Sequence, residues 1–347
     1  MGGSATASLR EAEALLEQGQ WQGALELLQA GNRERPLASL QQRIMDLRIR
    51  AGRERPQNPP ATALAAVHES PRLGSGEIPE IPVAELSAQR LYDAIHGSGA
   101  AIVRGLLAPE RAADLRALID RVAAARRQPD LAPPCEEAAA WYVRSDEVRG
   151  APAQFFASPD EPVSESSSVW VADSPRVACE LLDVYASLGL PELLQTYFGE
   201  PARLSVKKWV LRKIAPKPEG DAGWHQDGRF LGEDIQTVNL WLALSDCGGS
   251  APAPGMDLVI DGRREIHPTG TDGAWFDWTV GPERVARVAS SCGITQPRFA
   301  AGDALFFDHF NLHRTAFEPH HTAVRYAIES WFFAASSAPL KQQPILL

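Results

Sequence analysis

From Ala202 onward the chain is written in short apolar runs separated by glycine and proline, and this pattern narrows the fold more than any other feature. The runs are RLSVKKWVLRKI (203–214), TVNLWLAL (237–244), DLVI (257–260), DALFFDHF (303–310) and RYAIESWFFA (325–334). Segments of this length between turn signals read as the strands of a sandwich or barrel. The preceding half is helical. LSAQRLYDAIHGSG predicts a helix ending at Gly97, ahead of a short apolar strand at 100–105. Pro109 opens a second helix of good formers, and CELLDVYASLGLPELLQTYFG predicts another. Helices first and strands after predict an α+β fold, with helices buttressing a jelly-roll, cupin-like barrel.

The strand half carries a constellation of chemistry. In AGWHQDG, His225 and Asp227 stand two apart, and residues i and i+2 of an extended segment share a face. They can reach one metal ion together while Gln226 points elsewhere. A third ligand has to come from a distant strand, and DALFFDHFNLHRT offers His309 and His313. His313 lies just past the predicted strand, at its mouth. His309 sits inside the apolar run and reads as a packed histidine. Two histidines and a carboxylate on one face of a metal suit non-haem iron(II), leaving positions for a bidentate co-substrate and dioxygen. The net positive charge left on that centre favours an anionic chelator such as a 2-oxo acid. The second carboxylate of such a chelator needs its own partner. Arg325 can grip it bidentately, and Thr315 can add a hydroxyl donor. The plainer reading of Arg325 is an ion pair with Glu329 on the same strand face.

WHQDG, NLWLALSD, PGMD, HRTAF and RYAIESWFF, in that order over about residues 85 to 335, resemble the phytanoyl-CoA dioxygenase family. The resemblance implies a double-stranded β-helix with flanking N-terminal helices. It implies hydroxylation, or a related oxidation, of an unactivated carbon of a small-molecule or carrier-bound substrate. Dioxygen and 2-oxoglutarate are the co-substrates, and succinate and CO2 are released. By the same resemblance His225, Asp227 and His313 hold Fe(II), and Thr315 and Arg325 bind the distal carboxylate. Gln226, Lys207 and Asn239 make further contacts near the co-substrate, and Trp224 packs beside the metal. The chain departs from the family at SDCGGSAPAPGMD, where an acidic-Asn-Gly turn and a PGSH segment are usual. Two other readings stay open: a cupin-like metal enzyme that does not use 2-oxoglutarate, and an inactive barrel whose N-terminal hairpin binds a partner.

Residues 1–52 are expected to be helical. EQGQWQGALELLQAGNRERP resembles a single tetratricopeptide repeat, with Gly19, Trp21, Ala24 and Pro36 at the motif's turn, aromatic, packing and terminal positions. One repeat cannot bury its own face, so it reads as a hairpin docked on the main domain, with a protein partner as the alternative. Residues 53–82 read as a linker, 83–338 as the dioxygenase domain and 339–347 as a C-terminal tail. Residues 128–175 read equally as a packed surface loop or an active-site cover. Residues 259–278 either line a substrate pocket or form a solvated hairpin. Arg263 and Arg264 read as solvated, and His320 and His321 as solvent-facing. A formal net charge of -10 argues against a general nucleic-acid binder. Cys135, Cys179, Cys247 and Cys292 form no CxxC pair, which fits a reducing, cytoplasmic setting. No signal peptide and no membrane span is expected.

Overall fold

Every residue of the run TVNLWLA is buried, because its strand lies inside a sheet that is covered on both faces. The structure is a computed structural model and describes residues 3–54, 56, 64, 77–126, 140–143, 167–216 and 223–347. Most of the expected linker and most of 128–175, Cys135 included, lie outside the described residues.

The strands are β1 (Glu80–Pro82), β2 (Ala100–Arg104), β3 (Ser167–Trp170), β4 (Ala202–Ile214), β5 (Thr237–Ala243), β6 (Gly255–Val259), β7 (Ile294–Thr295), β8 (Ala304–Phe307), β9 (His313–Ala316), β10 (Arg325–Ala334) and β11 (Pro344–Leu346). The helices are α1 (Gly3–Glu17), α2 (Trp21–Glu34), α3 (Ala38–Gly52), α4 (Ala88–Ser98), α5 (Pro109–Arg126), α6 (Pro175–Ser187), α7 (Leu190–Phe198), α8 (Gly228–Leu231) and α9 (Pro282–Ala289). The major sheet runs β1-β2-β8-β5-β10-β4-β11, with β3 paired to β4, and the minor sheet runs β7-β6-β9.

Side-chain alternation in the major sheet builds two cores. Val238, Leu240 and Leu242 of β5, with Ala304 and Phe306 of β8, point outward into the cluster that includes Leu91, Leu181 and Tyr185 of the helices. Trp241 and Ala243, with Leu305 and Phe307, point inward and meet Met256 and Leu258 of the minor sheet. Two sheets packed on one apolar layer, with helices behind the larger, make the expected double-stranded β-helix.

Several boundaries differ from the expectation. DALFFDHF ends as a strand at Phe307, and a turn follows in which Asp308 accepts from the Phe310 amide at 2.9 Å. The chain crosses to the other sheet there, so His313 starts β9 instead of trailing β8. The single helix expected over 179–199 is two, because Gly189 is left-handed at φ 66 and caps α7. The expected tail is a strand, since β11 pairs antiparallel with β4 at the sheet edge. α3 lies against it: Arg48 donates to the Leu346 carbonyl at 2.8 Å, and a Cβ on Gly52 would sit 2.0 Å from the Pro344 carbonyl oxygen. The hairpin α1–α2 shares a core with α3 through Ala24, Leu28, Leu40 and Ile44, so the helical segment is seated on the barrel through α3. His320 is exposed as expected, but His321 is buried, where its Nδ1 accepts from the Glu318 amide at 2.9 Å.

Candidate metal centre

Gly223, at φ 72, turns the chain into the motif. A Cβ there would lie 2.5 Å from the Thr279 methyl carbon, so the turn needs glycine twice over. His225 then pairs with His313 through an isolated antiparallel bridge, with amide-to-carbonyl bonds of 3.0 Å in both directions. This bridge extends the minor sheet by one residue and sets the two imidazoles side by side, 4.4 Å apart at their centroids. Asp227 is not extended. It has helical backbone angles and starts α8, so it meets the histidines by a turn and not by strand alternation. Ligand atoms of His225, Asp227 and His313 all lie within 4.8 Å of one another.

The partners of these side chains suit a metal. His225 Nδ1 lies 3.0 Å from the Gly223 carbonyl, and His313 Nδ1 lies 3.1 Å from the Asn311 carbonyl. A carbonyl only accepts, so each Nδ1 carries the proton and each Nε2 is left as the donor to a metal. Asn239, which points inward from β5, donates to Asp227 Oδ2 at 2.5 Å. Replacing Asn239 by alanine is expected to weaken metal binding by about 10- to 100-fold. A fluorescence-detected Mn(II) titration reads this, and wild-type affinity would rule out Asn239 as the residue that orients Asp227.

Burial pushes the Asp227 carboxyl up to about 6, against the opposing pull of His313 and Lys208. Burial, helped by His313, pushes His225 down to about 3, so it stays neutral at working pH. Metal binding therefore competes with a proton on Asp227 and not with one on His225. Apparent Mn(II) affinity is expected to fall as the pH drops through about 6, where Asp227 takes up its proton. Equilibrium titrations between pH 5 and 7.5 check this, and a flat profile would contradict it. Asp227 also bears on the metal-free fold. Its folded value lies above the ordinary 3.8, so the ionised form is disfavoured once the pH passes about 6, and the penalty is gone below 3.8. Metal binding relieves it.

Between the sheets, next to the triad, lies a cavity of about 140 Å³. Arg325, from the first position of β10, lines it and is only 2% exposed. One of its Nη atoms donates to the Gly255 carbonyl at 2.9 Å, the guanidinium lies over Trp241, and its Nε is buried with no partner. Burial lowers its pKa to about 10. The ion pair with Glu329 does not form. Glu329 is held by Arg212 through two bonds of 2.9 and 2.8 Å, and Arg212's charge and bonds hold its pKa low although burial alone would raise it. Among the described residues Arg325 has no carboxylate partner. A buried cation without a counter-charge is costly, and an anion in the cavity resolves it. Thr315 lines the same cavity.

Two of the expected contacts are elsewhere. Lys207 does not line the cavity; Lys208 does. Leu204 and Val206 face the outer core, but so do Trp209 and Leu211, because β4 bulges where its register against β10 shifts between Ser330 and Phe332. The bulge, in which the Lys208 amide donates to the Ser205 hydroxyl at 3.1 Å, reverses the alternation and turns Lys208 inward. Lys208 lies over Trp331 at 4.6 Å, and burial lowers its pKa. Gln226 is buried but faces away from the cavity. Its amide nitrogen donates to the Glu265 and Phe310 carbonyls at 2.8 and 2.6 Å, and its oxygen accepts from the His267 amide at 2.7 Å. The middle residue of the motif thus rivets the 259–278 segment to the turn before His313. Arg264 is not merely solvated, since it pairs with buried Asp308 at 2.6 Å; Arg263 is exposed and pairs with Asp261. His309 is fully buried against Thr237, away from the triad, and Trp224 packs with Val259, Val280 and Leu312. Lys208, Arg212 and the orienting role of Asn239 escape sequence reasoning. The only signal was that Asn239, Lys208 and Arg212 are polar residues inside apolar strands.

A family model described as phytanoyl-CoA dioxygenase matches residues 95–322. No curated protein sequence gives a significant match. Among solved structures, EctD from S. alaskensis with 2-oxoglutarate and 5-hydroxyectoine aligns at a TM-score of 0.50 and 14% identity, over 82% of this chain and 87% of that one. EvdO2 from Micromonospora carbonacea var. aurantiaca aligns at 0.47 and 16%, over 79% and 94%. AviO1 from Streptomyces viridochromogenes Tue57 aligns at 0.46 and 16%, over 73% and 98%. At 14% identity the likeness to EctD speaks for the fold alone. No helix among the described residues is long and apolar enough to cross a membrane.

Proposed function

Because the chain belongs to the phytanoyl-CoA dioxygenase family and is an iron(II)- and 2-oxoglutarate-dependent oxygenase, we propose that it hydroxylates an unactivated carbon of a small-molecule or carrier-bound substrate. The observation that carries this reading is that a compact His-Asp-His set lines one small cavity together with a buried arginine that has no carboxylate partner among the described residues. Bound iron supplies dioxygen activation, with 2-oxoglutarate as the two-electron reductant that leaves as succinate and CO2.

The chain's own residues account for the rest. His225 and His313 present Nε2, because backbone carbonyls hold the Nδ1 protons. Asp227 adds the carboxylate, held in place by Asn239. His225, Asp227 and His313 would hold the metal by three donors, and such a set would leave it positions for the co-substrates. Arg325 and Thr315 grip the distal carboxylate of 2-oxoglutarate, and this binding orients its 2-oxo acid end toward the triad. Lys208 adds positive charge beside Asp227, which helps to hold a dianion. Trp241, Met256 and Phe307 wall the cavity with apolar surface and keep water from the bound co-substrate. The test is isotopic. With a turned-over substrate, 18O2 is expected to leave one labelled oxygen in the product and one in succinate. Product that carries only solvent oxygen, or turnover without 2-oxoglutarate, would refute the assignment.

A further inference from the structure

The cavity beside the triad is too small for two occupants. A cavity of ~150 Å³ holds one benzene-sized molecule, and this one, at about 140 Å³, would be taken up by 2-oxoglutarate alone. The body of such a substrate would then rest outside it. The 259–278 segment supplies an aromatic surface against His225. Its two ends are tied to the residues flanking His225: Val280 donates to the Trp224 carbonyl at 2.8 Å, and Gln226 holds Glu265 and His267. Between them, Thr279 closes a turn on Phe276, with its hydroxyl donating to the Phe276 carbonyl at 2.9 Å. The aromatic rings of this turn are thus in fixed register with a metal ligand.

These rings form a ladder. Trp278 stands edge-on to His225, with centroids 5.6 Å apart. Phe276 stacks on Trp278 at 5.6 Å with only 11° between the planes. Phe230 joins Trp278 at 6.5 Å and lies 5.7 Å from the ammonium of Lys208, which lines the cavity. The outer end is open to solvent, with Phe276 51% and Trp275 76% exposed. Single exposed apolar side chains need no explanation, but Phe276 prolongs a stack that leads from His225 to solvent and exposed Trp275 adjoins it in the chain, which together mark a binding surface. Parallel rings at this spacing leave a flat π-face, and the group that continues such a stack best is another planar ring.

We propose that residues 275–278 form a substrate shelf for a planar, unsaturated ring system, aromatic or fused polycyclic, whose reacting carbon reaches the metal past Trp278. This rests on the oxygenase reading of the triad, and the test separates the two. The full chain is loaded with Mn(II) and 2-oxoglutarate, and binding of the metal is read first from water-proton relaxation. Failure at that stage overturns the oxygenase reading. Next, 2-naphthol, its saturated counterpart decahydro-2-naphthol and methyl β-glucoside are titrated by ligand NMR, with a Zn(II)-loaded control. The expected result is Mn(II)-enhanced relaxation of 2-naphthol protons, with affinity about tenfold lower in Trp275→Ala/Phe276→Ala. Metal and 2-oxoglutarate binding in that double variant should be retained, which also shows that it folds. Equal binding of the saturated alcohol, preference for the glucoside, unchanged binding in the double variant, or no paramagnetic effect would each overturn the shelf. So would concentration-dependent self-association that the double variant abolishes, since the rings would then face a second copy of the chain.

Discussion

Asp227→Ala should lower 2-oxoglutarate-dependent succinate formation by well over ~100-fold, because orienting partners of metal ligands alone are worth about 10- to 100-fold and this residue is itself a ligand. The same variant should not unfold. A rise of the carboxyl from 3.8 to about 6 corresponds to about 3 kcal/mol by which the metal-free wild type disfavours the ionised group at neutral pH. Removing the carboxylate lifts that penalty while giving up the bond from Asn239. Thermal unfolding of the metal-free proteins at pH 7.5 should therefore place Asp227→Ala at or above wild type, and Asp227→Asn higher still. Mn(II) should then raise the midpoint of wild type and leave both variants unmoved. Near-native turnover in folded Asp227→Ala would remove Asp227 from the metal. A large loss of stability without metal would mean that its charge is compensated in a way the geometry does not contain.

The second large effect belongs to Arg325. Truncating one partner of a buried charge pair costs roughly 2–5 kcal/mol, so Arg325→Ala should raise the 2-oxoglutarate KM by at least about 30-fold. Metal affinity should stay near wild type, since the contacts of Arg325 are with Gly255 and Trp241 and not with the triad. Arg325→Lys should recover only part of the loss, because a point-like ammonium cannot reproduce the bidentate fork. The free protein should tolerate the alanine, as it gives up a buried cation with no counter-charge among the described residues. A KM unchanged in both variants, with metal still bound, would place the distal carboxylate elsewhere.

Much of this was legible in the sequence. The inward and outward faces of TVNLWLA and ALFF follow from alternation once both faces are covered, and the β10 boundaries match the run RYAIESWFFA. His225, Asp227, His313, Thr315 and Arg325 come together at one cavity. What escaped depends on register and on local breaks in regularity. Two adjacent lysines look alike in the sequence, and only the bulge in β4 decides that Lys208 and not Lys207 turns inward. Arg212 claims Glu329 because β4 lies beside β10, a pairing that no local pattern announces. Gln226 is set by its three backbone partners, two of which lie in a segment whose path could not be foreseen. The break at Gly189 was signalled by LGLP, a glycine ahead of a proline, yet the helical periodicity on either side hid it.

On the reading proposed above, one cavity holds Fe(II) on His225, Asp227 and His313 and 2-oxoglutarate against Arg325. An anaerobic titration of the metal-free protein with Fe(II) and then 2-oxoglutarate, following the weak visible charge-transfer band of the chelate, tests it most directly. The expected result is a band that saturates at one 2-oxoglutarate per chain and that requires far more 2-oxoglutarate in Arg325→Ala. Bound iron with no band at saturating 2-oxoglutarate, or a band indifferent to Arg325, would contradict it.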